Sequence, residues 1–372
     1  MTTAPHDAQR DNHSAADDPY GGWLPGNGSA GRRTYVERVL GAERTALAPT
    51  VQALATYIEH TEAVRRLAND ACADNLALID GDAPQAASVA GARIGDVDAL
   101  LHGLNTVLTH APGFVDGELV GLPFSAFLGD IARTPRGAAL FRHPSVSLLM
   151  SNILNDWHAF LDSPASNVGF RVEGEQWLAP EVKARYRFPV WKKDADRPPY
   201  WNSWNAFLTR TFAYPGQAGA PLRRDAWRAG GRRCSPADLL VSSVPQQQAL
   251  IDDCRLLDLF GGGQVVRTDL GPYDFHRWRA PVHGEVLFDP FTIPGCFIGQ
   301  DHARGVIVIR TEDDGHVCCV PLGMSEAASM AFDPGMRRGA RVTRGQEMGM
   351  FKGAGSAFVV LLEKPPGSRA GV

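Results

Sequence analysis

In the first half of the chain, apolar positions recur at intervals of three and four. In the second half they come in short runs closed by Gly, Pro or Asp. That change of period predicts helices first and strands later. Val51, Leu54 and Ile58 share one helical face, followed by Val64 and Leu67. The clearest helix is predicted over 145–161, where Val146, Leu149, Met150, Ile153, Leu154, Trp157, Phe160 and Leu161 form one stripe that must be buried. Pro164 closes it, because proline cannot continue a hydrogen-bonded turn. Thr34-Tyr-Val-Glu37 fits a capping box. Near 195–221 the texture shifts to a proline-bounded segment around a short aromatic helix. Runs with strand character then follow at 239–244, 264–268, 285–288, 305–311, 316–322 and 357–362. The expectation is an α+β protein: a disordered leader over 1–30, a helical domain over 31–195, and a β-rich sandwich or partly closed barrel over 196–372. Within the leader, Trp23 and Leu24 could pack against the body.

Composition narrows the function classes. The chain has 372 residues, 44% apolar and 21% charged, enough for a full core and two domains. A formal net charge of −4, with no Lys/Arg stripe, gives no footprint for nucleic acid. The six cysteines have neither a Cys-x-x-Cys pair nor metal-ligand spacing, so they are expected to be buried free thiols in a reducing compartment, with no metal site. The N-terminus is polar and acidic and no segment reaches 18 apolar residues, so a cytoplasmic protein without a transmembrane segment is expected. Gly261-Gly-Gly263 lacks the spacing of a phosphate loop and reads as a turn. His102, His110, His143 and His158 show no repeated ligand spacing. Asp96, Asp98 and the Asp252-Asp253 pair read as capping or turn carboxylates.

The candidate chemistry lies in EMGMFKGAGSAFVVLLEK, residues 347–364. A serine preceded by glycine faces an uncrowded carbonyl on its N-terminal side. In a strained turn, Ser356 Oγ could attack the Gly355 carbonyl and move the acyl group from nitrogen to oxygen. Loss of the Ser356 α-proton would eliminate the ester, and hydrolysis of the resulting dehydroalanine would leave a pyruvoyl group and ammonia. Spacing alone does not separate this chemistry from an ordinary turn before a strand.

Several further stretches give the serine a context. They are GWLP at 22–25, NILNDWHAFLDSPAS at 152–166, PPYWNSWNAFLTRTF at 198–212, FHRWRAPVHGEV at 275–286, PLGMSEAASM at 321–330 and VTRGQEMGMFKGAGSAFVVLLEK at 342–364. In this order they resemble the phosphatidylserine decarboxylase superfamily, and within it the branch of soluble tryptophan decarboxylases of fungi and bacteria. The resemblance implies self-cleavage between Gly355 and Ser356, a covalent pyruvoyl cofactor made from Ser356, and an N-terminal helical extension. It further implies a carboxy-lyase that condenses a substrate amine with the ketone, which then accepts the electron pair released with CO₂. An aromatic amino acid such as tryptophan is the favoured substrate, with a phospholipid headgroup as the other; the family often forms homodimers. Trp201, Trp204, Phe207 and Trp278 are the candidate pocket walls, although for Trp201, Trp204 and Phe207 packing of the helical domain against the β domain is the preferred reading.

Three departures from the family pattern bear on this. The first histidine of the family's His-x-x-His segment is His276, but the second position, the expected base, is Arg279, which stays protonated. Ser242-Ser-Val-Pro-Gln246 lacks the aspartate of typical phosphatidylserine decarboxylases, as the tryptophan branch also does. Cleavage would leave only residues 356–372 as the small fragment. His276 or His283 could supply the base and the later proton donor, and Arg279 could hold a substrate carboxylate. The competing expectation is a family member that has lost self-cleavage and serves a binding, structural or non-decarboxylating role such as cyclisation.

Overall fold

The computed structural model describes residues 23–26, 29–77, 93–186, 188, 191–194, 197–211, 213, 250–251, 254–255, 259–260, 263–272, 274–295, 302–312, 315–323, 326, 329–354 and 356–363. Helices α1 (Ala30–Leu40), α2 (Pro49–His60), α3 (Glu62–Ala77) and α4 (Val97–Val107) come first. A small hairpin follows, of β1 (Gly113–Val115) and β2 (Glu118–Val120). Then come α5 (Pro123–Arg133), α6 (Pro135–Arg142), α7 (Pro144–Asp162), α8 (Pro180–Tyr186) and α9 (Trp204–Leu208). Five of these helices open on proline, at a position whose N–H would lack an intrahelical partner anyway. The helix predicted over 145–161 is α7. Its buried face holds Val146, Met150, Ile153, Leu154, Trp157 and Leu161, with His158 among them. Pro164 opens a 3₁₀ turn directly after it.

The capping box expected at Thr34 is not formed. α1 begins five residues earlier than that box requires, with Ser29 Oγ accepting from Arg32 N at 3.2 Å, so Thr34 lies inside the helix. Asp96 caps α4 through Ala99 N at 2.7 Å. Trp23 and Leu24 are buried, and Trp23 Nε1 donates to the Leu270 carbonyl at 2.9 Å.

The second half supplies β3 (Leu250–Ile251), β4 (Cys254–Arg255), β5 (Gln264–Leu270), β6 (Arg277–Arg279), β7 (Gly284–Val286), β8 (Phe291–Ile293) and β9 (Ala303–Arg310). It continues with β10 (His316–Gly323), β11 (Ser329–Phe332), β12 (Arg341–Val342), β13 (Glu347–Lys352) and β14 (Ser356–Leu362). The largest antiparallel sheet runs β12-β7-β9-β10-β14-β5, with β8 also on β9; a second runs β11-β13-β6. In β9, β10 and β14 nearly every residue is buried, because both faces of this sheet are covered. One face gathers Val306, Val308, Cys318, Val320, Val359 and Leu361. The other gathers Ile307, Ile309, Val317, Cys319 and Val360 against Trp278, Met348 and Phe351 of the smaller sheet. The predicted strands at 264–268, 285–288, 305–311, 316–322 and 357–362 therefore correspond to β5, β7, β9, β10 and β14. The one at 239–244 lies outside the described residues. The result is α+β, with open, facing sheets and no closed barrel among the described residues.

Candidate active site

Ser356 is the first residue of β14. It pairs with Gly323 of β10 on one edge and Leu270 of β5 on the other. Its side chain is fully buried, and Oγ has no hydrogen-bond partner among the described residues. Gly355, the expected cleavage carbonyl, lies outside them. Leu270 links Ser356 to a histidine through one ring. Its carbonyl accepts from Trp23 Nε1, and the Trp23 indole meets the His276 imidazole edge-on at 5.5 Å.

His276 precedes β6 and is held by its own backbone, its carbonyl accepting from Phe351 N at 2.9 Å. Its Nδ1 faces the Asp274 carbonyl at 3.0 Å. A carbonyl can only accept, so Nδ1 carries the proton and Nε2 presents a lone pair. That Nε2 is buried without a hydrogen-bond partner among the described residues. Burial pushes the His276 pKa down to about 3, and the nearby Arg210 cation acts in the same direction. Arg210 itself is buried over the Tyr186, Trp191 and Phe207 rings, and its Nη2 donates to the same Asp274 carbonyl at 3.3 Å. The site thus holds a neutral imidazole and a neutral hydroxyl in a water-poor interior.

Two grips from the helical half flank the serine. On the N-terminal side, Gly353 has a left-handed φ of 87°. Its N–H donates to Asn205 Oδ1 at 2.9 Å and its carbonyl accepts from Trp204 Nε1 at 2.6 Å. On the β10 side, three residues past Gly323, the Glu326 carboxylate accepts from Phe124 N (3.0 Å), Ser125 N (2.6 Å) and Ser125 Oγ (2.6 Å). Those backbone donors are the second and third residues of α5, whose own flanking residue Leu122 offers no side-chain cap. Glu326 therefore caps α5 from the other half of the chain, where the helix's positive end favours an acceptor. Its carbonyl accepts from His158 Nε2 at 2.8 Å. Burial raises the Glu326 pKa to about 7 despite these hydrogen bonds, and burial lowers that of His158 to about 4.

The remaining expected residues are dispersed. Arg279, in β6, donates to the Gly345 carbonyl at 2.8 Å and lies over the Phe275 ring at 5.4 Å. His283 is exposed in a turn, where its Nδ1 accepts from Arg344 N at 3.3 Å. Trp201, Trp204 and Phe207 sit in one buried ring cluster with Phe170, and Trp177 packs on Trp204 and Phe207. Trp278 packs between the sheets against Phe332, Phe351 and Phe358. Ser242–Gln246 lies outside the described residues. Sequence reasoning did not find Glu326, Asn205 or Arg210. Glu326 carried a legible signal, as a lone carboxylate inside the otherwise uncharged PLGMSEAASM.

An α+β protein in which an interior strand opens on a buried serine, its Oγ without a hydrogen-bond partner among the described residues, is the class these features define. Sequence models of phosphatidylserine decarboxylase match residues 48–186 and 204–371. The chain belongs to the phosphatidylserine decarboxylase superfamily. It is 24% identical over 300 residues to decarboxylase iboD of Amanita muscaria, covering 65% of this chain and 83% of that protein. It is 27% identical over 145 residues to a phosphatidylserine decarboxylase proenzyme of Chlamydia muridarum, 34% of this chain and 46% of that protein. To phosphatidylserine decarboxylase proenzyme 2 of Oryza sativa subsp. japonica it is 30% identical over 121 residues, 29% of this chain and 19% of that protein. The match therefore spans less than half of either proenzyme. No helix among the described residues is long and apolar enough to cross a membrane.

Proposed function

We propose that the chain cuts itself between Gly355 and Ser356 and then decarboxylates an amine-bearing carboxylic acid. The observation that carries this reading is Ser356 Oγ, fully buried at the head of β14 and without a hydrogen-bond partner among the described residues. A small hydroxyl left without a partner in a closed site fits a precursor of a pyruvoyl group, since a structural serine buried there would be expected to find an acceptor.

In the cutting reaction Ser356 Oγ attacks the Gly355 carbonyl as its proton is taken up by a base, for which His276 Nε2 is the candidate. The peptide C–N bond breaks to leave an ester. Removal of the Ser356 α-proton then expels the Gly355 carboxylate, and water converts the dehydroalanine to a ketone with release of ammonia. Of the two histidines proposed as base, His276 is favoured by its burial, while His283 faces solvent. The imidazolium is costly where burial and Arg210 oppose it, so the proton moves only as compensating negative charge develops beside it. In the decarboxylase, the ketone supplies an electron sink for the pair released with CO₂. His276 then returns a proton to the substrate α-carbon. Arg279 remains the candidate to hold the substrate carboxylate, at the cost of giving up its Gly345 contact.

For the substrate, the motif resemblance favours an aromatic amino acid such as tryptophan, and phosphatidylserine, for which the proenzyme relatives are named, is the other candidate. For Trp201, Trp204 and Phe207 the dense packing with Phe170, Trp177 and one another in the helical core favours a packing role over a pocket wall. A second reading, a member that no longer cuts itself, is favoured by Arg279 standing at the second histidine position. Intact mass decides between the two. The proposal expects two fragments, the smaller beginning at residue 356 with a carbonyl-reactive end, and none from Ser356→Ala. A single 40.2 kDa chain after prolonged incubation refutes it.

A further inference from the structure

Gly353 sits where the chain leaves one sheet for another. β13 ends at Lys352 in the smaller sheet and β14 begins at Ser356 in the larger, so no strand neighbour takes up the Gly353 peptide groups. Two consecutive side chains of the helical core take them instead. Trp204 Nε1 donates to the Gly353 carbonyl and Asn205 Oδ1 accepts from the Gly353 N–H.

Both side chains are themselves fixed. Asn205 Nδ2 donates to Asp162 Oδ1 at 3.0 Å, which sets the amide so that its oxygen faces Gly353. The same carboxylate binds Lys352 Nζ at 3.0 Å. The Trp204 backbone N–H donates to Ser166 Oγ at 2.9 Å, and the indole is packed among Phe170, Trp177 and Phe207. His158 closes the remaining side: a Cβ at Gly353 would stand 3.0 Å from His158 Nε2. Ala354 is buried in the helical core, and Ser356 is locked in register on both edges. The anchors therefore stand three residues before the serine, and the serine is itself an anchor.

We infer that Trp204 and Asn205 are positioning residues for self-cleavage: the helical half fixes Gly353 so that little conformational freedom is left to the segment that must react. This rests on the self-cleavage proposed above. Neither residue touches Ser356; they act through the Gly353 backbone, by limiting the geometries in which hydroxyl and carbonyl can meet. The helical half thereby becomes part of the processing apparatus and not only a cover for the sheets.

The test follows the fraction of full-length chain cut over time by intact mass, with thermal unfolding measured on each protein. Trp204→Phe keeps the ring and removes the donor; Asn205→Leu keeps the size and removes both hydrogen bonds. Asn75→Ala is the control. Asn75 is a buried helical-half side chain whose Nδ2 donates to the Ile94 carbonyl, with no link to Gly353. Each of the first two variants is expected to cut about tenfold more slowly than wild type, whereas Asn75→Ala cuts at the wild-type rate for an equal loss of melting temperature. If wild type is cut and both variants keep pace with it, this inference is wrong and the proposed function stands. Equal slowing in Asn75→Ala at matched stability also overturns it, by reducing the effect to general destabilisation. An uncut wild type removes both.

Discussion

Replacing Glu326 by Gln separates the two forces on the carboxylate that joins the halves. Three donors favour its charged form, yet burial wins and raises its pKa from 4.5 to about 7. The folded state therefore binds a proton between those values that the unfolded state has released. The resulting stabilisation is fully present below pH 4.5 and is lost as the pH rises through 7. Between pH 5 and pH 8 the linkage amounts to about 2.5 kcal/mol. For a chain of this length an unfolding entropy of about 0.8 kcal/mol/K converts that to a melting shift of about 3 °C. Glutamine cannot ionise. Its amide nitrogen faces donors and costs stability at every pH, but that cost does not change with pH. Melting temperatures of wild type and Glu326→Gln, measured by calorimetry from pH 5 to pH 8, should thus converge or cross, with the variant gaining on wild type as the pH rises. A constant difference, or a wild type that gains on the variant, would mean that the hydrogen bonds outweigh burial and that the reasoning is wrong.

His158 titrates in the opposite sense. With its pKa lowered to about 4, the folded state fails to take up the proton that the unfolded state binds below 6.5, so wild type loses about 2 kcal/mol between pH 7 and pH 5. His158→Gln should remove that loss in a urea titration at the two pH values. Gly353→Ala places a side chain in the left-handed region and against His158; it should cost about 1–2 kcal/mol, read as a lower urea midpoint, and slow self-cleavage. Arg279→His restores an imidazole at the family's second histidine position and should raise the cleavage rate about tenfold in a timed mass assay. No change there would mean that His276 already suffices or that the missing aspartate limits the reaction.

Periodicity made the regular elements legible. The stripe of α7 and the runs of β9, β10 and β14 could be read because burial on one face of a helix, or on both faces of a sheet, leaves its mark on neighbouring residues. The start of α1 could not, since Ser29 and Thr34 offer equivalent hydroxyls and their local sequence does not choose between them. At the site, Ser356 and His276 stood out through motif resemblance. Asn205 did not, and Glu326 was marked only as a lone carboxylate, because their partners Gly353 and Ser125 lie 148 and 201 residues away and no local pattern encodes such pairs. The tautomer of His276 was likewise invisible until the Asp274 carbonyl was seen beside Nδ1.

The place of β14 in the large sheet has a mechanical consequence. It is an interior strand, bonded along its whole length, with seven register pairs to β10 and seven to β5. Scission ahead of its first residue would not free the short peptide, which would stay zipped between two strands of the longer piece. Heat or denaturant, not dilution, would be needed to separate the two products, and a newly made terminus would remain where it formed.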